Sequence, residues 1–200
     1  MEYNEQRLKF LEESKQSHFR ITEKIVMSSH SRPLQLLAFS VLKRSVSLTF
    51  GFTALIRERN FICAASLIRL QLDNLLRFRA AFMVANSDQF VVDVISGKEV
   101  RKLVDRNGKK MTDAFLQQAL ASEYPWLQHL YKATSGYIHF SEQHFFNTMK
   151  ITGQEKNIGR YQAYIGPDDK FVDSEVYDGA IEDMISTTHA LLEFLARWAK

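Results

Sequence analysis

Backbone-bending residues are scarce in this chain: 8 glycines and 3 prolines in 200 residues. Average usage would supply roughly 14 and 10. Sandwiches, barrels and propellers need a turn every few residues, so the scarcity argues against all three. Hydrophobic residues make up 46% and aromatic ones 12%, which gives ample apolar surface to bury and argues against disorder. The expectation is an all-α protein, a multi-helix bundle with long N-terminal helices that folds as a single domain over 1–200. The few bending residues also cluster. Before Gly97 only Pro33 and Gly51 occur, whereas Gly153, Gly159, Gly166 and Pro167 crowd together. A small β-hairpin is therefore expected near 145–165, with Phe145–Thr152 paired to Arg160–Ile165 across Gly153–Gly159.

Charge excludes little. Lys and Arg total 26 against 23 acids, a net +3 that by itself does not mark a nucleic-acid binder. The single Cys63 cannot form an intrachain disulfide, and a reduced cytoplasm is the simplest compartment. Acidic residues among Met1–Glu5 are unlike a secretory signal. The most apolar segment, Leu34–Ile56, is interrupted by Lys43 and Arg44, and the uncharged remainder is shorter than the ~18 residues of a membrane span. A soluble, cytoplasmic protein without a membrane partner is expected.

Periodicity places the helices. Leu8, Leu11, Lys15, His18, Ile21 and Ile25 trace one stripe of a helix over Glu5–Ser28. Ser31 caps a second, with Pro33 in its first turn, reaching Arg57. Asn60 caps a third over Phe61–Ala85, apolar almost all round and therefore central. Shorter helices follow over Ser87–Ile95, Lys98–Asp105, from Thr112 to about Ser122 and from Trp126 to about Phe140; a long one runs from Asp173 to Lys200.

Two polar stripes break this apolar pattern. Arg69, Asp73 and Arg77 stand at i, i+4 and i+8 on the third helix, so they share a face. Tyr131, Ser135 and His139 repeat the spacing on a later one. Buried charges cost several kcal/mol per ion unless paired, so each stripe needs an explanation. One is structural: Arg69 and Asp73 pair with each other, and His139 is satisfied by a backbone carbonyl. The other is a polar pocket in the bundle, where Arg69 binds an anion and His139 is a general acid or base oriented by Asp73.

Other signatures are weak. His139 and His144 are five apart, not the four of the zinc-helix motif, and no third ligand is evident, so no metal is expected. Glycine-rich phosphate loops, dinucleotide fingerprints and serine elbows are missing, so no cofactor is expected. Arg101, Lys102, Arg106, Lys109 and Lys110 form a basic cluster that reads either as a phosphate grip or as a solvated turn.

The segment Ile68–Leu76, with Arg69 and Asp73, and the segment Tyr131–Ser141, with Tyr131, Ser135, His139 and Ser141, resemble an uncharacterised family of bacterial all-helical proteins. In that family an Arg-x-x-x-acid step precedes a Tyr-x-x-x-Ser-x-x-x-His-x-Ser stretch, and its acid is more often Glu. More distantly, the chain is similar to the HEPN superfamily (higher eukaryotes and prokaryotes nucleotide-binding), helical bundles that are often dimeric and include RNases of toxin–antitoxin and phage-defence systems. That nuclease motif places a His four to six residues after an Arg, and no His here has one. The resemblance implies a protein that binds or processes RNA or a nucleotide, without a metal. Arg69, Asp73 and His139 would be catalytic, and Tyr131, Ser135, Ser141 and Arg77 would bind substrate. The alternative is a non-catalytic helical module that dimerises or docks a partner, with the stripes fixing helix register. Either way a homo-oligomer is expected, because an aromatic-rich bundle tends to leave an apolar face uncovered.

Overall fold

Apolar residues at helical spacing build almost the whole molecule, in a computed structural model that describes residues 2–155 and 158–200. Two helices, α1 (Glu2–Glu13) and α2 (Lys15–Met27), replace the single one expected over Glu5–Ser28. The break is at Ser14, whose hydroxyl donates to the Leu11 carbonyl at 2.6 Å, a back-bond that competes with the helix ladder. Lys15 leaves the stripe for solvent, while His18, Ile21 and Ile25 stay buried.

Helix α3 (Arg32–Arg57) carries Pro33 in its first turn as expected, but Ser31 does not cap it; its hydroxyl bonds Asp88 instead. Helix α4 (Phe61–Ala80) starts under its expected cap, with Asn60 Oδ1 accepting from the Cys63 amide at 3.2 Å. It ends five residues before Ala85. There the chain turns, and the Arg106 guanidinium bonds the Phe82 and Met83 carbonyls, which follow the last helical residue.

Helix α5 (Ser87–Ile95) closes before Gly97, whose φ of +90° suits a glycine. The helix expected over Lys98–Asp105 shrinks to a 3-10 turn, Val100–Lys102. The rest is a loop bridged between Val104 and Lys110, in which Asp105 Oδ1 accepts from the Asn107 and Lys109 amides. Helices α6 (Asp113–Leu120), α7 (Leu127–Ile138) and α8 (Glu142–Thr148) follow. Strand β1 (Met149–Glu155) pairs antiparallel with β2 (Ile158–Ala163), and α9 (Ser174–Trp198) closes the chain. The expected hairpin exists, but Phe145–Thr148 belong to α8, so pairing begins at Met149↔Ala163 and runs through Ile151↔Tyr161. Residues 156–157, inside the expected Gly153–Gly159 connection, lie outside the described residues.

The fold is all-α with a small hairpin. Helix α4 is its centre, packed against α3, α6, α7 and α9. Leu72, Leu75, Leu76 and Phe78 are fully buried on it, and the Phe78 ring meets Phe82, Phe194 and Trp198 edge to face. By length and composition α3 is apolar enough to cross a membrane, although only 44% of its most apolar window is buried in the bundle. Within the fold it lies against α1, α2, α4, α5 and α9.

Candidate functional site

Arg69, Asp73 and Arg77 project from one face of α4, as the i, i+4, i+8 spacing requires, toward a junction with α3, α6 and α7. Their partners come mostly from other helices. Asp73 Oδ1 receives Arg77 Nε at 3.0 Å, and its Oδ2 receives Arg44 Nη1 of α3 at 3.1 Å. Asp113, the first residue of α6, takes Arg77 Nη2 on Oδ1 at 2.5 Å and Arg69 Nη2 on Oδ2 at 3.4 Å. The Tyr131 hydroxyl of α7 donates to Asp113 Oδ2 at 2.6 Å and also accepts from Arg69. The Arg69 guanidinium lies over the Tyr131 ring, 3.6 Å from its centroid. The five charged side chains are between 13% and 40% exposed, shielded enough for pairing to matter and open enough for water to screen it.

The electrostatics follow from this geometry. Burial pushes the Asp113 carboxyl up, but the Tyr131 hydroxyl and the Arg77 and Arg69 guanidinium groups outweigh it and hold Asp113 below the usual carboxylate value. Burial, then the bond to Asp113, pushes the Tyr131 phenol up to about 12, so it stays protonated and keeps donating. The expected Arg69–Asp73 pair does not form. The two are neighbours on the helix, yet Asp113 claims Arg69, while Arg44 and Arg77 claim Asp73.

A second, uncharged network runs inward from this cluster, and its direction is fixed. Arg44 Nη1 donates to Asn74 Oδ1 at 2.9 Å, Asn74 Nδ2 to Gln71 Oε1 at 3.0 Å, and Gln71 Nε2 to Ser45 Oγ at 2.6 Å. His18 contacts the Ser14 carbonyl through Nδ1 and Ser45 Oγ through Nε2, both at 2.9 Å. A carbonyl only accepts, so Nδ1 carries the proton and Nε2 receives the Ser45 hydroxyl hydrogen. Burial pushes the His18 imidazolium down, which favours this neutral tautomer. Gln71 Nε2 also reaches Thr188 Oγ1 at 3.1 Å, tying α9 to the chain.

His139 does not join the cluster. Helix α7 runs antiparallel to α4, with Tyr131 on Arg69 and the Tyr137 carbonyl accepting from Ser66 Oγ at 2.9 Å. His139 follows Tyr137 as the C-cap of α7, about 12 Å along the axis from Tyr131. Asp73 lies roughly 10 Å beyond Ser66 in the opposite direction. His139 is exposed, and among the described residues its ring bonds neither Asp73 nor Arg69. Ser135 donates back to the Tyr131 carbonyl at 2.7 Å. Ser141 caps α8, accepting from the Gln143 amide and donating to the Gly136 carbonyl at 2.9 Å. Gly136 leaves room for that turn, since a Cβ there would meet Gln143 Oε1 at 2.4 Å and Ser141 Oγ at 3.0 Å.

The basic cluster after Gly97 is largely occupied. Arg101 and Lys102 pair with Glu99, Arg106 holds the end of α4, and Lys109 sits 4.6 Å from the centroid of the Phe115 ring. Among the described residues, no group of three or more His, Cys, Asp or Glu could hold a metal ion.

Sequence spacing missed Asp113, Arg44, Asn74, Gln71, Ser45 and the polar role of His18. Arg44 left the one usable signal, a charge in the middle of an apolar helix. Asp113 left none, because an acid in a first helical turn is expected for the helix dipole alone. Comparison with protein-family models, curated proteins and solved structures finds no match to this chain.

Proposed function

We propose that this chain is a non-catalytic helical module that self-associates or docks a partner, with the ionic cluster locking the register of its helices. The observation that carries the reading is the double use of each carboxylate: Asp73 joins α3 to α4, and Asp113 joins α6 to α4 while holding Tyr131 of α7. Such crossed pairs are satisfied in one alignment of four helices and broken by a slip of either neighbour. A reaction centre would instead keep a base facing a space for substrate. The test is incubation of the protein with single-stranded RNA beside a melting curve. The expected result is intact RNA and a lowered Tm for Asp113→Asn; RNA cleavage that disappears in His139→Ala would overturn the reading.

A second reading, a HEPN-like protein that binds RNA or a nucleotide in bacterial stress or phage defence, draws support from the charge count. Three arginines face two carboxylates, and Arg77 Nη1 is buried without a hydrogen-bond partner. In that reading Arg44 and Arg77 hold a phosphate. Salt-sensitive RNA binding weakened by Arg44→Ala supports it, and binding indifferent to both salt and that change removes it.

A further inference from the structure

The region after α7 differs from the rest of the molecule. Phe140, Phe145, Phe146, Met149, Ile151 and Tyr161 are all between 36% and 80% exposed. Strand alternation explains part of this. Met149 and Ile151 share one face of β1, opposite Ala163 and Tyr161 of β2, while Lys150 and Gln162 take the other face. Helix α8 runs straight into β1 and adds Phe145 and Phe146, and Phe140 packs edge to face on Phe145 with centroids 5.4 Å apart. Most of these side chains line a groove of about 500 Å³ whose wall is completed by Phe171 and Asp173.

We propose that this face is an isologous interface with a second copy of the chain, which deepens the module reading and rests on it. The first argument is area. Six side chains of this size at these exposures present roughly 700 Å² of apolar surface, above the few hundred Å² usual on a monomer and near the ~800 Å² per partner of a standard interface. Next comes the hairpin, because two strands alone are marginally stable in water and need a further strand or packed layer, which a second copy supplies.

The test is molar mass by light scattering during size exclusion, over a wide concentration range, for the full chain and three variants. The expected mass is twice the 23.2 kDa of the chain. Ile151→Glu and Phe146→Glu, at exposed positions that the single-chain fold does not bury, reduce it to one chain while the helical far-UV circular dichroism signal is retained. Met27→Glu, at an exposed apolar position on α2, leaves the dimer intact. A wild-type chain that is monomeric throughout overturns the interface, as does a dimer that survives both hairpin changes. So does a monomer that binds phosphatidylcholine vesicles through Ile151 and Phe146, which would give the face to a lipid surface. None of these outcomes coincides with His139-dependent RNA cleavage, which would overturn the module reading and leave the mass unchanged.

Discussion

The junction around α4 and the face of the hairpin are opposites in composition and in the state of their side chains. At the junction three arginines, two aspartates and a tyrosine sit among apolar helices, and nearly every charged atom has a partner within the same chain. On the hairpin, aromatic and aliphatic side chains stand in solvent beside an open groove. The residues with the most chemical character are the ones the fold satisfies for itself. Those with the least are left unsatisfied. A charge in a bundle must be paired before the bundle is stable, so it is consumed by folding; an apolar side chain on a surface costs the monomer little and remains available.

Substitutions can break this contrast at either end. The largest loss of stability is expected from Phe78→Ala, about 4 kcal/mol in urea melts, because the cavity opens beside three aromatic rings that cannot close it. Asp113→Ala follows, at about 2–3 kcal/mol, since it frees two arginines and the Tyr131 hydroxyl in a partly screened site. Gln71→Leu is expected to cost about 2 kcal/mol, by stranding Ser45, Asn74 and Thr188. Ile151→Ser, measured on the monomer, is expected to stay within about 0.5 kcal/mol of wild type. A hairpin change that matched the Asp113→Ala loss would erase the contrast between the regions.

Acid sharpens the comparison further. The folded-state pKa of His18 lies below its unfolded value, so its contribution is complete above about pH 6.5 and is lost as pH falls toward the folded value. Asp113 behaves alike at lower pH, contributing above about 3.9 and weakening as it is protonated. The Tm is expected to decline first below about pH 6.5, and His18→Gln should flatten that first decline while leaving the later one. An unchanged slope in His18→Gln would remove His18 from the pH response.

Much of this was legible in the chain. The scarcity of glycine and proline implied long helices, the all-round apolarity of 61–85 put that helix at the centre although it ends at Ala80, and crowded glycines located the hairpin. Local chemistry misled where tertiary partners prevailed. Ser31 bonds Asp88 instead of its helix start, Ser14 splits a continuous stripe, and Arg106 helps end α4 early. At the site, the sequence by itself determined that Arg69, Asp73 and Arg77 share one face, because 3.6 residues per turn leaves them no other arrangement. It also placed Tyr131 and Ser135 one turn apart on one later helix, whereas His139, expected on the same stripe, falls just past the end of α7 in extended backbone. Only the tertiary structure decided which of them meet. The antiparallel run of α7 along α4 brings Tyr131 to Arg69 and carries His139 away from Asp73, and the packing of α6 inserts an aspartate that no spacing rule connects to either stripe. Periodicity acts within a helix, whereas pairing across helices depends on direction and offset, which are set by the core that all of them share.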